Sequence, residues 1–231
     1  MSQTRQPTPG DAGQRDAGLR ETSGDAAGRS QKSDLREPHL HERDTRGPDS
    51  GGNSRGLVGR RWIHQGRKYS FEMMTYAAPD GGVLEREVVR HPGAVAILPL
   101  LGTGPDRRVV MIRNERIALE QRLLEIPAGT REAGEAAGLT AGRELIEETG
   151  YEAATIEELC RFYTSPGLTD ELMHAFVARD LRHVGQDLEA DERITVELMT
   201  PAEVLKRLDG GEITDAKTCL VLLTALRRGI L

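Results

Sequence analysis

The chain has 231 residues, of which 37% are hydrophobic, so it is long enough for one sizeable core or for one domain with a tail. Its formal net charge of −6 and its pI near 5.6 argue against a dedicated nucleic-acid-binding protein, which would normally carry a basic face. A few arginines and a metal ion would still be enough to bind an anionic phosphate ligand.

The cysteines and the hydropathy of the chain bear on its location. Cys160 and Cys219 fit neither a metal-binding spacing nor a disulfide framework, so we expect reduced, buried and inert thiols in a cytoplasmic protein. The first residues, MSQTRQPTPGDAG, lack the apolar stretch of a secretory signal. No segment approaches the roughly 20 apolar residues of a membrane span. The sequence thus predicts a soluble protein without a membrane partner.

Residues 1–56 differ in composition from the rest of the chain. They are rich in Gly, Arg, Asp, Ser, Gln and Pro, and the first aromatic residue is Trp62. Such a segment cannot bury enough apolar surface to offset the entropy of ordering it. We therefore predict a disordered tail over residues 1–56, as a solvated linker rather than a partner-binding segment, and one domain over residues 57–231.

From residue 60 onward the pattern predicts strands mixed with a few helices. The predicted strands are residues 68–77, 84–90, 94–101, 109–113, 155–163, 172–178 and 194–199, and the predicted helices are residues 135–149, 201–208 and 215–228. A Pro-Asp-Gly-Gly turn at residues 79–82 separates the first two strands. Gly150 ends the first helix as a left-handed C-cap. Mixed elements of this kind favour a layered α/β sandwich.

The segment GTREAGEAAGLTAGRELIEETGY, which begins at residue 129, carries the pattern that indicates chemistry. On a helix, Glu144, Glu147 and Glu148 project from one face. Leu139 and Ile146 fall on another face, and we expect them to anchor the helix to the core. Like charges at this spacing repel one another, and a hard divalent cation would remove the repulsion. This face is therefore either a solvated acidic surface or a magnesium site.

The wider pattern decides between these two interpretations. It has Gly129, five further residues, Glu135, seven further residues and then RELIEETGY. This is the Nudix box, complete at every defining position, and the chain resembles the Nudix hydrolase family. The resemblance implies a Nudix-type α/β/α sandwich with a mixed sheet, in which Gly129 and Gly150 are backbone hinges. It also implies hydrolysis of a nucleoside diphosphate linked to a further group, usually with magnesium.

The resemblance also implies a ligand set for the metal. Glu144 and Glu148 would be the main ligands of Mg²⁺, with Mn²⁺ as the other candidate ion. Glu147 and the backbone carbonyl of Ala128 would complete the cluster, and Glu135 would support it from the loop.

Further motifs resemble the ADP-ribose pyrophosphatase subfamily. They are REVVRHPGAV (residues 86–95), RNER (113–116), LEIPAG (124–129), SPG (165–167) and DAKT (215–218). Pro166 lies 16 residues after Gly150, where a proline marks this subfamily. The resemblance implies hydrolysis of ADP-ribose to AMP and ribose 5-phosphate, or of a related nucleoside diphosphate sugar. It also implies a homodimer in which the N-terminal strands of one subunit complete the other's site.

On this resemblance, substrate contacts come from several elements. Arg86 and Arg116 would hold the diphosphate through forked guanidinium contacts, with Arg86 acting across the dimer interface. Glu125 and Glu171 match positions that contact substrate hydroxyls or orient arginines. Tyr69 lies near the position at which related enzymes stack the adenine, and simple packing is the alternative for its side chain.

The same resemblance implies a general base on the acidic loop before the strand at residues 194–199. Water would attack a phosphorus while metal ions polarise the phosphate. Glu192 is the first candidate for the base and Glu189 the second, although either residue could be solvated. Glu147 is a further catalytic candidate. One rival function is hydrolysis of another nucleoside diphosphate sugar. The other is a catalytically silent Nudix ligand sensor, and the intact box argues against the sensor.

Overall fold

The computed structural model describes residues 56–190 and 192–231, so the predicted tail lies outside the described residues except for its last residue. Over the described residues the strands are β1 (Leu57–Gln65), β2 (Ser70–Ala77), β3 (Val83–Arg90), β4 (Ala94–Leu101), β5 (Arg108–Arg116), β6 (Gln121–Glu125), β7 (Ala128–Thr130), β8 (Tyr151–Tyr163), β9 (Leu172–His183) and β10 (Ile194–Met199). The α-helices of the same residues are α1 (Ala137–Thr149), α2 (Pro201–Asp209) and α3 (Ala216–Arg227). No helix in this part of the chain is long and apolar enough to span a bilayer.

The strands form two sheets. β1, β2 and β3 make a three-stranded antiparallel sheet in that order. The other strands make a seven-stranded sheet with the order β10-β5-β4-β9-β8, in which β6 also pairs with β5 and β7 with β4. β4 and β9 run parallel while the remaining pairs are antiparallel. The predicted mixed sheet is therefore confirmed.

The central strand β4 has a helical layer on each of its faces. Successive side chains of a strand point to opposite faces, so Val95 and Ile97 lie on one side and Ala96 and Leu98 on the other. Val95 and Ile97 belong to a buried cluster with residues of α1. Ala96 and Leu98 belong to a second buried cluster, which includes residues of α2 and α3. Since both faces of the sheet are covered, the predicted α/β/α layering is confirmed.

The anchor predicted for α1 is wrong at Leu139, and Ile146 is half-buried and outside the two core clusters. Leu139 is 71% exposed, whereas Ala141 and Leu145 are the fully buried apolar side chains of the helix. Leu139 precedes Ala141 by two residues, which places it about 200° around the helix from the buried face. The other buried residues of the helix are Thr140, Glu144, Glu148 and Thr149, so two of the three glutamates of the acidic stripe point into the protein.

Several strands differ from the sequence prediction. β1, β6 and β7 were not predicted, and β8 and β9 are longer than expected because β8 begins directly after Gly150 and β9 continues to His183. β1 gives little periodic signal because its side chains are mostly exposed. β10 coincides with its prediction at both ends. Cys160 and Cys219 are free, half-buried thiols, and burial raises the pKa of each.

Candidate active site

Helix α1 ends in a tight crossing of the chain. Gly150 has φ 73° and donates its N–H to the carbonyl of Ile146 at 2.8 Å, which confirms the left-handed C-cap. The carbonyl of Gly150 accepts from the N–H groups of Val184 and Gly185, at 2.7 Å and 3.2 Å. A Cβ atom at residue 150 would lie 2.8 Å from the backbone of Gly185 and Gln186. Glycine is therefore required both by the backbone angle and by the segment that follows β9.

Two carboxyl groups of α1 are buried side by side. Glu148 is 2% exposed and Glu144 is 8% exposed. Oε2 of Glu148 accepts the N–H of Ala128 at 2.8 Å, which ties the helix to β7. Burial raises the pKa of Glu144 to about 7 and that of Glu148 to about 8, and the negative charge of Glu192 adds to both shifts. The pair thus favours either bound protons or a nearby cation.

The carboxyl group of Glu144 occupies the space beside Gly129. A Cβ atom at residue 129 would lie 1.9 Å from Cδ of Glu144 and 2.1 Å and 2.2 Å from its two oxygens. Gly129 lies within β7, and its φ is outside the left-handed region. Its role is therefore to leave room for this carboxyl group, and the hinge role implied by the resemblance is seen only at Gly150.

Arg143 links the other acidic side chains of the box. Its Nη1 lies 2.8 Å from Oε2 of Glu147 and 2.9 Å from Oε1 of Glu144, while its Nη2 lies 3.3 Å from Oε2 of Glu135. Contact with Arg143 holds the pKa of Glu135 below its usual value. Oε2 of Glu135 also accepts the N–H of Glu132 at 3.2 Å. Arg143 therefore fixes the loop before α1 against the helix and neutralises part of its charge.

The carboxylates are not arranged as a complete metal site. Residues 56–190 and 192–231 contain no group of three or more His, Cys, Asp or Glu side chains placed to hold a metal ion. Glu147 turns toward Arg143, and Glu144 is shared between Arg143 and the space beside Gly129. The donor chemistry nevertheless fits a hard divalent cation, because two buried carboxyl groups with raised pKa values supply oxygen ligands.

A cleft of about 430 Å³ lies beside the box. It brings together five residues predicted for the site: Tyr69, Arg116, Glu125, Ala128 and Glu171. It is also lined by residues not predicted to act there, among them His91, Thr164, Asp215 and Lys217. Three of these four lie in the motifs at residues 86–95 and 215–218, but one sequence does not separate a packing role from a binding role.

A fully buried carboxylate anchors the cationic wall of the cleft. Glu125 accepts hydrogen bonds from Nε and Nη2 of Arg116 at 2.8 Å and 2.6 Å, so the pair is bidentate. Nζ of Lys217 also contacts Glu125, and it lies 3.0 Å from Oδ2 of Asp215. The hydrogen bonds to Glu125 raise the pKa of Arg116. Arg116 is therefore held as a fixed cation at the edge of the cleft.

The remaining predicted residues lie outside the cleft lining. Arg86 is exposed on β3 and donates from Nη1 to the carbonyl of Glu85 at 2.8 Å. Glu189 and Glu192 share a turn in which Oε2 of Glu192 accepts the N–H of Glu189 at 3.0 Å. Glu189 is exposed and Glu192 is half-buried. Of these two loop residues, Glu192 is the one whose charge adds to the raised pKa values of Glu144 and Glu148.

The chain is similar to known proteins over most of its length. A family model described as "NUDIX domain" matches residues 90–218. An "ADP-ribose pyrophosphatase" of Bacillus subtilis (strain 168) is 39% identical over 163 residues, which are 70% of this chain and 86% of the relative. A "Methanol dehydrogenase activator" of Bacillus methanolicus is 39% identical over 160 residues, which are 68% of this chain and 85% of the relative.

A solved structure shares the fold. It is titled "Crystal structure of ADP compounds hydrolase", and it aligns with a TM-score of 0.64 at 20% sequence identity, over 76% of this chain and 96% of the other. The Nudix-type fold is thus confirmed. The family model covers more than half of the chain, and it includes the box and most of the cleft. The chain therefore belongs to the Nudix hydrolase family, and it is a Nudix pyrophosphohydrolase.

Proposed function

We propose that this protein hydrolyses the diphosphate bond of ADP-ribose, giving AMP and ribose 5-phosphate, or the same bond of a closely related nucleoside diphosphate sugar. The observation that carries the proposal is the cleft, whose wall joins Gly129 of the box and the preceding Ala128 to the fixed guanidinium of Arg116. Hydrolysis of a diphosphate calls for both a metal and a forked cation, and the proposal places the metal on the box carboxylates beside this wall. The choice of ADP-ribose as the substrate is supported by the similarity to the Bacillus subtilis ADP-ribose pyrophosphatase.

The box would hold Mg²⁺, with Mn²⁺ as the alternative ion. Glu144 and Glu148 would be the main ligands, and Glu147 and the carbonyl of Ala128 would complete the set. When bound, the metal supplies Lewis-acid polarisation of a phosphate oxygen and a lower pKa for water. The burial of Glu144 and Glu148 supports this assignment, because two carboxyl groups taken out of water either bind protons or need a compensating cation.

We assign the general base to Glu192, which would accept the proton of the attacking water. Its charge reaches the two buried carboxyl groups, and its loop is anchored where the N–H of Asp187 donates to the carbonyl of Glu147 at 3.1 Å. Glu189 is the second candidate, and its exposure makes it the weaker one. Glu147 would act beside the metal once it leaves Arg143.

Arg116 would bind the diphosphate, with Glu125 fixing its orientation. Tyr69 would stack on a ring of the substrate, and Glu171 would accept hydrogen bonds from its hydroxyl groups. Both residues line the same cleft as Arg116, which supports a single extended binding site.

We propose a homodimer that covers the sheet of β1, β2 and β3. Trp62, Ile63 and Phe71 are exposed apolar side chains of this sheet, and a pairing of two copies would bury them. Arg86 lies on the same sheet and outside its own cleft, so a dimer is the way in which it would reach a substrate. A monomer in light scattering with full activity, or an Arg86→Ala variant with unchanged KM, would contradict this assignment.

The proposed reaction is tested by release of AMP from ADP-ribose beside a panel of nucleoside diphosphate sugars, with and without Mg²⁺ or Mn²⁺. Metal-dependent preference for ADP-ribose supports the proposal in full. Preference for another sugar nucleotide keeps the chemistry and changes the substrate. Folded protein that binds a panel member without cleaving any would favour the ligand sensor.

A further inference from the structure

His91 lies at the end of the cleft that contains Tyr69 and Glu171, and its side chain is 9% exposed. Its Nδ1 accepts the N–H of Gly93 at 3.0 Å. A neutral imidazole carries one proton, so an accepting Nδ1 places that proton on Nε2. Nε2 lies 3.3 Å from Oε1 of Glu171. The protonated nitrogen of the ring therefore lies beside the carboxylate, just beyond the usual N–H···O hydrogen-bond length.

The ring of His91 has little freedom to move. Its backbone N–H donates to Oδ1 of Asp170 at 2.9 Å. Arg90 donates to Oδ2 of Asp170 and to the buried carboxylate of Glu72, both at 2.9 Å. These contacts join the end of β3 to the segment before β9. Because Glu171 follows Asp170 directly, His91 and Glu171 are held against each other.

Glu171 is left as a partly satisfied acceptor. Oε1 faces His91, and Oε2 accepts the hydroxyl of Thr164. A carboxylate offers about four acceptor positions, so about two remain after these contacts. An oriented carboxylate with one free position on each oxygen matches the two donors of a vicinal diol.

His91 also supports an aromatic face. Its ring stacks on Tyr69 with centroids 4.9 Å apart and an interplanar angle of 25°. Tyr69 is 41% exposed and lines the cleft. A ring that is stacked on one side offers a pre-oriented surface for sugar or base on its exposed part.

We propose that His91 is a specificity-determining positioning residue, which orients Glu171 to accept a ribosyl diol and holds Tyr69 as the wall beside it. The inference rests on the proposed function, since it concerns how the same cleft selects its substrate. His91 acts through these two neighbours and takes no part in the bond cleavage.

The test separates the hydrogen-bond donor of His91 from its ring. His91→Phe keeps a stacking ring and removes the donor, whereas His91→Gln keeps an N–H donor and removes the ring. Hydrogen bonds to charged groups are worth enough to change affinity by about tenfold or more. We expect KM for ADP-ribose to rise by about that factor in His91→Phe with kcat changed by less than about twofold, and to recover partly in His91→Gln.

A double variant shows whether His91 acts through Glu171. His91→Phe combined with Glu171→Gln should have the KM of Glu171→Gln alone, because the two changes break one interaction. His183→Phe is the matched control, since His183 packs edge-on against Tyr151 at 5.1 Å outside the cleft lining. We expect it to leave KM unchanged.

An unchanged KM in folded His91→Phe, or additive effects in the double variant, overturns the inference. If wild-type protein cleaves a different sugar nucleotide, the same comparison is made with that substrate. If it cleaves none, the proposed function fails. In that case calorimetry measures the Kd of wild-type protein and of the same variants for ADP-ribose with Mg²⁺. Equal Kd values for wild type and His91→Phe, or no binding at all, would overturn the inference independently of activity.

Discussion

Replacing Gly129 by alanine should disrupt the proposed metal site without unfolding the protein. The new Cβ would lie 1.9 Å from Cδ of Glu144, whereas ordinary contact begins at 3.4 Å, so the carboxyl group must move by about 1.5 Å. Magnesium requires near-ideal geometry at about 2.0–2.1 Å from its ligands, so a shift of this size removes Glu144 from the site. A misplacement of about 1 Å in a catalytic group can reduce the rate by about 100-fold. We expect a loss of turnover of at least that order.

The fold should tolerate this change, because the atoms in conflict are the tip of a flexible side chain. Gly138→Ala, in the first turn of α1, is the matched control, since a Cβ there meets nothing within 4 Å. Alanine at a helix position of this kind stabilises by about 0.5–1 kcal/mol, so activity should be kept and the melting temperature slightly raised. The assay is the initial rate against Mg²⁺ concentration, together with thermal unfolding. A folded Gly129→Ala variant within about threefold of the wild-type rate would refute the role given to Gly129 and Glu144.

Three further predictions concern the same site. Glu148→Gln should lower turnover by at least about 100-fold at an unchanged melting temperature, whereas the exposed Glu152→Gln should change neither turnover nor melting temperature. A folded and active Glu148→Gln protein would count against the proposed metal ligands. Because burial raises the pKa of Glu144 to about 7 and that of Glu148 to about 8, the stability that these groups contribute to metal-free protein is present below about pH 4.5 and is lost as pH rises through 7 to 8. Thermal unfolding should therefore show a stabilisation by Mg²⁺ that is larger at pH 8.5 than at pH 5.5, and an equal effect at the two values would contradict it. Arg116→Lys keeps the charge but loses the forked contact with the buried Glu125. The free energy of unfolding in urea should therefore fall by about 1–3 kcal/mol, and kcat/KM should fall by about tenfold or more. Unchanged values of both would contradict the anchoring role.

The elements that the sequence predicted well are those encoded by neighbouring residues. The C-cap at Gly150 follows from a glycine placed after a helical pattern, and it is present with φ 73°. Leu139 was placed in the core by the apolar pattern of α1 alone. It is exposed because it lies about 200° around the helix from Ala141. The inward face includes Glu144 and Glu148, and there the N–H of Ala128 meets Glu148. A helical pattern does not contain that contact, because it joins residues 20 positions apart.

The cleft was harder to predict because its walls come from distant parts of the chain. The contact between Lys217 and Glu125 spans 92 residues, and His91 meets Glu171 across a similar separation. Residue type gives no sign of either pairing. The resemblance assigned Arg116, Glu125, Glu171 and Tyr69 to substrate binding, and the four residues line one cleft, but the partners that fix them became visible only in the fold.

The charge of the cleft explains why a metal should govern binding as well as catalysis. Among the described residues that line it, Arg116 and Lys217 face three carboxylates, those of Glu125, Glu171 and Asp215. Each cation is already paired with a carboxylate, and the two buried glutamates of the box add further negative charge when ionised. A diphosphate entering this cleft without metal would meet a net negative field. A divalent cation reverses the sign locally, so chelation should raise KM in addition to lowering kcat.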